Sequence, residues 1–447
     1  MKRFFTFGLL AVAATLLQGC FFGSGGSSAP PPNNVVATAK DSRVVLTWDM
    51  LPGVQYWIWE STVPGVTPLN CSSDASCYTA VNVTSPASIS TYISGTSTPL
   101  VNGTTYYYSL NGRSGGGPGG SGSLAVSATP RFSGATWAPG TAATANSLRG
   151  VTYGTTTTGT TTTGTLFVAV GDNGALYSST DVGSSLTNGN NWVAAASNPK
   201  PATNFRGATY DTGLVKYLAA GSGGVILQSL DGTNWTSTNN SAYTSDLYAI
   251  ANNGASTIVA TGATGTILTS QDGGSTWATQ TIAGTPALNG VTYGYTASGV
   301  YRFVAVGAGG TLLWSADSTG TVWTAASLPA PITTTSIFTG VTYGIVNSIG
   351  TFAAVTADGY VTTSTDGITW TAPVAVSATL NTVTASSNAV TSSFVAVDNA
   401  GNIFRSIDGG VTWPKVYTGT AALFAITHGA LLDYSAVGIS GLNLYSD

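Results

Sequence analysis

Residues that could carry acid–base, nucleophilic or metal chemistry are scarce in this chain of 447 residues. The sequence contains 17 acidic residues, one histidine and three cysteines. Glu60 is the only glutamate and His428 the only histidine, so the sequence lacks the clustered His and Cys that a typical zinc site requires. We therefore predict no catalytic residue, no metal and no cofactor, and we expect binding or scaffolding instead of catalysis.

The aspartates keep one catalytic alternative open. A glycoside hydrolase uses two carboxylates, and the distance between them decides whether the reaction inverts or retains the sugar configuration. Six aspartates of the C-terminal two-thirds stand outside the recurring phrase described next, and no motif marks one as an acid and another as a base. They are Asp172, Asp211, Asp246, Asp358, Asp398 and Asp433. A carbohydrate-binding or hydrolase-like protein is thus the alternative.

Most other aspartates belong to a phrase, Ser-x-Asp-(x)-Gly-x-Thr-Trp, whose clearest copy runs from Ser270 to Trp277. An aspartate accepts backbone N–H bonds in a tight turn, glycine tolerates positive φ, and tryptophan supplies apolar surface with one N–H donor. We therefore predict a structural role for the phrase. Its predicted structural residues are Asp181, Asp231, Asp272, Asp317, Asp366, Asp408, Asp447, Trp137, Trp192, Trp235, Trp277, Trp323, Trp370 and Trp413.

The phrase is part of a longer repeat that predicts the fold. Two apolar segments precede each copy, and the repeats begin at Leu148, Phe205, Leu247, Leu288, Phe338, Leu380 and Leu423. Four short antiparallel strands in roughly 40–45 residues form a β-propeller blade. We predict seven blades, the last completed by a strand at about 134–138 that precedes the first blade. The threonine-rich tract 155–163 is interpreted as a loop insertion.

The phrase resembles the Asp-box of bacterial sialidases, of xyloglucan hydrolases and of the photosystem II assembly and stability factor family. In those families the box lies at the rim of a blade, away from any catalytic centre, which implies a structural role here. The resemblance to the photosystem II factor family covers roughly residues 134–447 and implies a protein-binding role. The sialidase arginine triad and Tyr–Glu pair have no counterpart, and the basic surface of the photosystem II factor family is largely missing.

Residues 1–19 have the pattern of a secretion signal, with Lys2 and Arg3 before an apolar stretch too short for a stable membrane span. The sequence before Cys20 resembles a bacterial lipobox. This resemblance implies a lipidated Cys20 and a membrane anchor, followed by a flexible linker over residues 20–34. We expect a cell-envelope address, and in a Gram-negative host the outer membrane, on its periplasmic or surface face.

Residues 35–130 resemble a fibronectin type III module, a β-sandwich, through Trp48 and the run Tyr106–Tyr108. The close pair Cys71 and Cys77 is predicted to form a disulfide in an oxidising compartment. Residues 131–447 form the predicted propeller. The overall fold class is therefore all-β: a fibronectin type III-like sandwich followed by a seven-bladed propeller.

Charge and topology define the expected partners. Charged residues make up 7% of the chain and the net charge is −4, so we expect no nucleic acid partner. We expect a monomer that binds a protein, with a glycan as the alternative ligand.

In a four-stranded meander, the connections between blades emerge on one face and surround the central channel. The candidate binding residues on this face are Arg149, Arg206, Tyr248, Asn289, Asn381, Phe424, Asp172, Asp358 and Asp398.

Overall fold

The structure is a computed structural model that describes residues 28–447, apart from 41, 72–77, 91–99, 115–118, 132–133, 135, 159–160, 181–191, 239–242, 283, 387–391, 430–433 and 447. For residues 78–80, 157–158, 161–163 and 281, it describes the backbone only. The chain divides into two compact units, Met1–Phe132 and Ser133–Asp447. Within the described ranges, no helix has the length and apolar character needed to cross a membrane.

The N-terminal unit contains two antiparallel sheets and one helical turn. The three-stranded sheet has the order β1-β2-β5 and the four-stranded sheet the order β4-β3-β6-β7. The elements are β1 Val36–Lys40, β2 Arg43–Thr47, β3 Val54–Ser61, α1 Pro68–Cys71, β4 Tyr78–Val83, β5 Ala87–Ile89, β6 Tyr106–Ser114 and β7 Val126–Ala128.

Alternation along the strands builds the core of this unit. Along β3, Tyr56 and Ile58 are buried against residues of the other sheet, whereas the intervening side chains face outward and are only partly covered. Trp48 packs edge-on against Tyr56 with ring centroids 5.7 Å apart. The sole glutamate, Glu60, is fully buried and accepts a 2.8 Å hydrogen bond from the Tyr108 hydroxyl. Glu60 therefore belongs to the core of the N-terminal unit.

The C-terminal unit begins with β8 (Trp137–Pro139) and continues as successive four-stranded meanders. The first sheet comprises β9 Leu148–Thr158, β10 Thr161–Gly171, β11 Leu176–Thr180 and β12 Val193–Ala194. The second comprises β13 Phe205–Asp211, β14 Lys216–Gly221, β15 Ile226–Ser229 and β16 Thr236–Ser237. The third comprises β17 Leu247–Asn252, β18 Ile258–Gly262, β19 Thr266–Ser270 and β20 Ala278–Thr281.

Four further sheets follow in the described part of this unit. The fourth comprises β21 Leu288–Tyr295, β22 Tyr301–Gly307, β23 Leu312–Ser315 and β24 Trp323–Ala325. The fifth comprises β25 Phe338–Val346, β26 Ile349–Thr356, β27 Tyr360–Ser364 and β28 Val374–Ala375. The sixth comprises β29 Thr382–Ala385, β30 Phe394–Val397, β31 Ile403–Ser406 and β32 Lys415–Tyr417. The seventh comprises β33 Leu423–His428, β34 Tyr434–Gly438 and β35 Asn443–Ser446, with β8 as its outer strand.

The first strands of these sheets form a closed inner ring. Each contacts the first strand of the next sheet, and β33 of the seventh contacts β9 of the first. The third residue of each repeat is glycine, alanine or threonine, which lets neighbouring strands approach closely. At Gly150 an added Cβ would lie 2.8 Å from the Arg206 carbonyl oxygen, and at Gly207 it would lie 2.9 Å from the Ala249 Cα. Glycine at these positions therefore sets the width of the central channel.

Neighbouring sheets pack through apolar faces. Between the first and second sheets, Val168 and Val170 lie against Phe205, Tyr217 and Trp235. Equivalent clusters lie between the following pairs of sheets, and Leu148 and Val151 pack against Ala425 and Val437 where the seventh sheet meets the first. The core of this unit is therefore distributed around the ring between sheets.

The threonine-rich tract 155–163 differs from the predicted loop insertion. Strand β9 extends to Thr158 and β10 begins at Thr161, with Thr155 paired to Thr165. β-Branched threonine favours extended backbone and packs well on a pleated surface. The insertion lengthens one hairpin, and the interpretation of the tract as a loop was wrong.

Candidate functional site

A cavity of about 740 Å³ opens at the end of the inner ring where the connections between sheets emerge. We call it the mouth cavity. Its rim is formed by the second residue of each repeat, and its deeper wall by small and apolar residues such as Gly150, Val151 and Ile250. The rim residues are Arg149, Arg206, Tyr248, Asn289, Thr339, Asn381 and Phe424. The structure thus brings six of the nine predicted binding residues into one wall, together with Thr339.

Arg149 belongs to a neutralised part of the rim. Its Nη2 and Nε atoms lie 2.9 Å and 3.1 Å from Asp172 Oδ2. The guanidinium carbon lies 4.3 Å from the ring centroid of Phe424. The carboxylate and the aromatic face both stabilise this cation, which is therefore held in one orientation.

Arg206, the second arginine of the rim, differs from Arg149 in its surroundings. Its side chain is exposed, and its guanidinium carbon lies 5.7 Å from the Tyr248 ring centroid. Over the described ranges, no carboxylate lies within ion-pair distance of Arg206. The positive charge of the mouth cavity is therefore concentrated at Arg206, beside an aromatic ring.

The opposite side of the rim is used for structure. Asn289 Nδ2 donates to the Phe338 carbonyl oxygen at 2.8 Å. Thr339 Oγ1 donates to the Leu380 carbonyl oxygen at 2.9 Å. Asn381 Nδ2 bonds the Leu423 carbonyl oxygen at 2.7 Å. Each of these donors joins its own repeat to the start of the next, so these three side chains contribute to the stability of the ring.

The three predicted acidic binding residues lie outside the cavity wall. Asp172 reaches the rim only through Arg149. Asp358 is exposed and accepts a 3.4 Å contact from the Ser336 hydroxyl. Asp398 is 1% exposed, and its carboxylate accepts hydrogen bonds from the backbone N–H groups of Ala400 and Asn402 within its own turn. The structure therefore places Asp398 among the residues that stabilise turns.

The recurring aspartates lie at the opposite end of the strands, in turns between the third and fourth strands. Asp272 Oδ1 accepts the backbone N–H groups of Ser275 and Thr276 and the Ser270 hydroxyl. The Trp277 indole N–H donates to the Gly274 carbonyl oxygen at 3.1 Å. Asp231, Asp366 and Asp408 accept backbone N–H groups in the same way, and the indole bond recurs at Trp235 and Trp413. We call these turns Asp turns; with the hairpins between first and second strands, they define the hairpin face.

Trp137 carries the same signature although its phrase is incomplete. Its indole N–H donates to the Gly134 carbonyl oxygen at 3.1 Å, as the Trp277 indole does to Gly274. Asp317, whose phrase has one extra residue, accepts hydrogen bonds from the backbone N–H and the hydroxyl of Thr319. The predicted structural residues Asp181 and Asp447 lie outside the described residues.

Hydrogen bonds keep the Asp turns ionised. The Thr276 hydroxyl, followed by the Thr276 backbone N–H and the Ser270 hydroxyl, lowers the pKa of Asp272 to about 2. Burial alone would raise the pKa of Asp231, but backbone and side-chain bonds from Asn234 hold that pKa well below its usual value. These carboxylates are therefore acceptors committed to their own turns and are poorly suited to act as general acids.

Several other predictions involve residues outside the described ranges. Residues 1–27, with Cys20, lie outside the described residues, as does Cys77. Cys71 is buried at the end of α1, and its predicted disulfide with Cys77 stays a prediction. In the described part of the chain, no group of three or more His, Cys, Asp or Glu side chains is arranged to hold a metal ion.

Comparison with known proteins identifies a fold. No protein-family model and no curated protein matches the sequence. The solved structure of YCF48 bound to D1 peptide is similar with a TM-score of 0.50 and 16% identity, over 69% of this chain and 94% of that chain. YCF48 from Cyanidioschyzon merolae has a TM-score of 0.50 and 17% identity, over 70% of this chain and 99% of the other.

The WD40 β-propeller domain of Doa1 is a third similar structure, with a TM-score of 0.51 and 9% identity, over 69% of this chain and 95% of that chain. At such low identities, the similarity extends to the fold alone. The chain is nearly all β and contains a β-propeller that resembles YCF48 in its fold.

Proposed function

We propose that the chain is a non-catalytic binding or assembly protein whose seven-bladed propeller holds a segment of a partner protein at the mouth cavity. The observation that carries this proposal is the asymmetric rim, where exposed Arg206 lies beside Tyr248 while Arg149 is paired with Asp172. The similar fold of YCF48, solved with a bound D1 peptide, supports a protein ligand.

The size of the mouth cavity favours an extended segment as ligand. A space of about 740 Å³ accommodates a few side chains and is far too small for a folded domain. Arg206 lacks a carboxylate partner in the described chain, so a bound segment would supply one. Tyr248 and Phe424 offer ring surface next to the two arginines. The preferred segment therefore combines an acidic side chain with an aromatic or apolar one.

The same geometry argues against hydrolysis at this site. Hydrolysis of a glycoside requires an acid and a base or nucleophile facing each other across the substrate. Among the described residues, no aspartate or glutamate lines the cavity wall, and Asp172, the carboxylate bonded to its rim, is already paired with Arg149. We therefore propose binding without turnover, and place the glycan alternative at a different surface, described below.

A peptide titration tests the proposal. The probes are a fluorescein-labelled decapeptide containing Asp, Glu and Phe, and a matched peptide in which Asn and Gln replace the acids. We expect fluorescence anisotropy to show that the full chain prefers the acidic peptide. Arg206→Ala should weaken that binding by about tenfold, the loss of one charge-assisted contact of roughly 1.4 kcal/mol.

Lys415→Ala is the matched control, because Lys415 is an exposed cation beside an aromatic ring, Phe404, in the sixth sheet and outside the cavity. We expect this variant to bind like the wild type. Equal affinity for the acidic and amide peptides, or equal losses in the two variants, would rule out a specific site at Arg206.

For the N-terminal region, we propose a lipid anchor at Cys20 and a fibronectin type III-like spacer over residues 35–130. The lipobox-like sequence and the two-sheet sandwich support these assignments. The implied address is the cell envelope, and in a Gram-negative host the outer membrane. Metabolic labelling with an alkynyl fatty acid should mark the wild type and not Cys20→Ala, and labelling of both proteins equally would refute the anchor.

A further inference from the structure

Aromatic pairs recur at the hairpin face. In five sheets, the ring near the end of the first strand contacts the ring at the start of the second strand, with centroids 4.7–5.3 Å apart. The pairs are Tyr153–Phe167, Tyr210–Tyr217, Tyr293–Phe303, Tyr343–Phe352 and His428–Tyr434. Because it recurs, this pair belongs to the structure of the repeat and indicates no ligand.

The fourth sheet adds two tyrosines that the repeat does not require. Tyr295 and Tyr301 face each other across β21 and β22, two residues beyond the recurring pair. Their exposed fractions are 43% and 52%. The equivalent pairs in the first and fifth sheets are Thr155/Thr165 and Ile345/Gly350, and in the second and third sheets the described pairing stops before this position. Among the described hairpins, two exposed rings at this position occur in the fourth sheet, and an exposed aromatic patch of this kind is a candidate binding surface.

Contacts below the exposed rings hold them in place. Tyr301 stacks on Tyr293 with an interplanar angle of 10° and a centroid distance of 5.7 Å. Tyr293 rests in turn on Phe303, which is fully buried. Tyr343 of the fifth sheet donates its hydroxyl to the Tyr295 carbonyl oxygen at 3.0 Å. We call Tyr293, Tyr295, Tyr301 and Tyr343 the tyrosine platform, and these contacts constrain its rings.

The hairpin that carries the platform is also fixed. Thr296 N–H donates to the Val300 carbonyl oxygen at 2.9 Å, and Val300 N–H donates to Thr296 Oγ1 at 3.0 Å. The Ala297 N–H donates to the Thr365 carbonyl oxygen in the Asp turn of the fifth sheet. These bonds anchor the hairpin to its neighbour, so binding would cost little ordering entropy.

The platform itself carries no charge, and the two ionised aspartates in the turns beside it, Asp317 and Asp366, are bonded within their own turns. Arg302, the cation next to Tyr301, is 6% exposed and lies over the Trp314 ring instead of the platform. Burial raises the pKa of Tyr293 to about 12 and also raises the pKa of Tyr343, so these hydroxyls stay protonated at neutral pH. The result is a pair of partly exposed tyrosine rings that contact each other, with centroids 4.6 Å apart and an interplanar angle of 47°. Such a surface suits a ligand that combines an apolar face with hydroxyls and carries no charge.

We propose that the tyrosine platform is a binding site for a neutral glycan, with a pyranose ring stacked on Tyr301. The electron-rich face of the tyrosine attracts the C–H groups of a sugar ring, and the hydroxyls of Tyr295 and Tyr301 are positioned to bond the sugar hydroxyls. An acidic peptide would not find the neighbouring cation accessible, because Arg302 is 6% exposed. The site lies on the face opposite the mouth cavity and does not depend on the peptide-binding proposal.

The experiment is calorimetric titration of the full chain with three neutral hexasaccharides: maltohexaose, cellohexaose and chitohexaose. We expect the wild type to bind at least one of them. Tyr301→Ala should weaken binding by about tenfold, since it removes one stacking ring, and Tyr301→Phe should retain affinity within about threefold because the ring remains. Arg206→Ala should bind like the wild type, which separates this site from the mouth cavity.

Val411→Ala provides the surface control, because Val411 is exposed in an Asp turn of the sixth sheet. Three outcomes would overturn the proposal: no binding of any hexasaccharide up to about 10 mM, the weak limit of specific recognition; unchanged affinity in Tyr301→Ala; or selective binding of a proline decapeptide that Tyr301→Ala abolishes. Equal thermal midpoints of the wild type and both Tyr301 variants would show that the loss does not arise from unfolding.

Discussion

Two buried cations occupy the same position of the repeat and have different surroundings. Lys216 and Arg302 each precede the aromatic residue at the start of a second strand, and each lies beneath the Asp turn of the next sheet. Lys216 Nζ donates to Gln228 Oε1 and to the Gly273 carbonyl oxygen. Arg302 lies 4.8 Å from the Trp314 ring centroid, but its Nε and Nη1 atoms are buried with no hydrogen-bond partner in the described chain.

The two cations should respond oppositely to methionine. Each unpartnered buried N–H costs about 1–3 kcal/mol, against about 0.5–2 kcal/mol gained from a cation–aromatic contact. We therefore expect Arg302→Met to raise the free energy of unfolding by about 1 kcal/mol. Lys216→Met removes the ammonium group that donates to Gln228 Oε1 and to the Gly273 carbonyl oxygen. It should therefore lower the free energy of unfolding by about 1–2 kcal/mol. Urea denaturation of both variants measures the difference, and a shift of the same sign in both would contradict this account.

At the scale of the element, most features of the Asp turn can be predicted from the sequence. The Ser-x-Asp spacing places the Ser270 hydroxyl 2.8 Å from Asp272 Oδ1, and the following glycine accepts the positive φ that the turn requires. The threonine tract was misjudged because its composition suits both an irregular loop and a long hairpin. Only the pairing of Thr155 with Thr165, a contact across strands, decides between them.

The hydrogen bonds of the Asp turn predict a pH dependence. The pKa of Asp272 is lowered to about 2, so folding favours the ionised carboxylate above the ordinary pKa of 3.8. Its contribution is therefore complete near neutral pH and is lost as the pH falls from about 4 to about 2. We expect Asp272→Ala to be less stable than the wild type at pH 7, and this gap to narrow across that interval.

Thermal unfolding at pH 7, 4 and 2 checks this prediction. Thr276→Val is the informative companion, because it removes the Thr276 hydroxyl, the largest cause of the lowered pKa of Asp272. In that background, the gap caused by Asp272→Ala should be smaller at pH 7. A gap that stays constant between pH 7 and pH 2 would show that the charge of Asp272 does not contribute.

The candidate site could also be predicted in part from the spacing of the repeats. Strand starts at repeated spacing indicate which residues surround the channel, and the structure places Arg149, Arg206 and Tyr248 there. The sequence could not show that Asn289 and Asn381 are occupied by carbonyl groups of the next strand, because that depends on the distance between sheets. Tyr295 and Tyr301 were missed; their signal is a departure from the repeat.

At the scale of the whole molecule, the ring is closed by residues far apart in sequence. Strand β8 pairs with β35 through Trp137 and Ser446, Ala138 and Tyr445, and Pro139 and Leu444. The Trp137 ring also stacks on Tyr434, with centroids 6.1 Å apart and an angle of 27°. The incomplete phrase at Gly134–Trp137 predicts this strand from sequence, since every other repeat has its tryptophan after the Asp turn.

Loss of the closing tryptophan should weaken the entire ring. Trp137 is half-buried, so Trp137→Ala should lower the free energy of unfolding by about 2 kcal/mol, less than the roughly 3–5 kcal/mol of a fully buried aromatic. Limited proteolysis should then cut first at the residues around β8. Val411→Ala should leave both measurements unchanged. If Trp137→Ala has the free energy of unfolding and the protease resistance of the wild type, closure of the ring does not depend on this side chain.

The pairing of β8 with β35, which closes the ring, has a consequence for biosynthesis. Asn443 donates to the carbonyl oxygen of Thr141, and these residues are 302 positions apart. A ribosome that adds about 5–20 residues per second needs about 15–60 s to make the intervening chain. Throughout that time, the nascent polypeptide carries unpaired strand edges, which invite pairing with other chains. A stalled translation product is therefore the form of this protein with the greatest need for a holding chaperone.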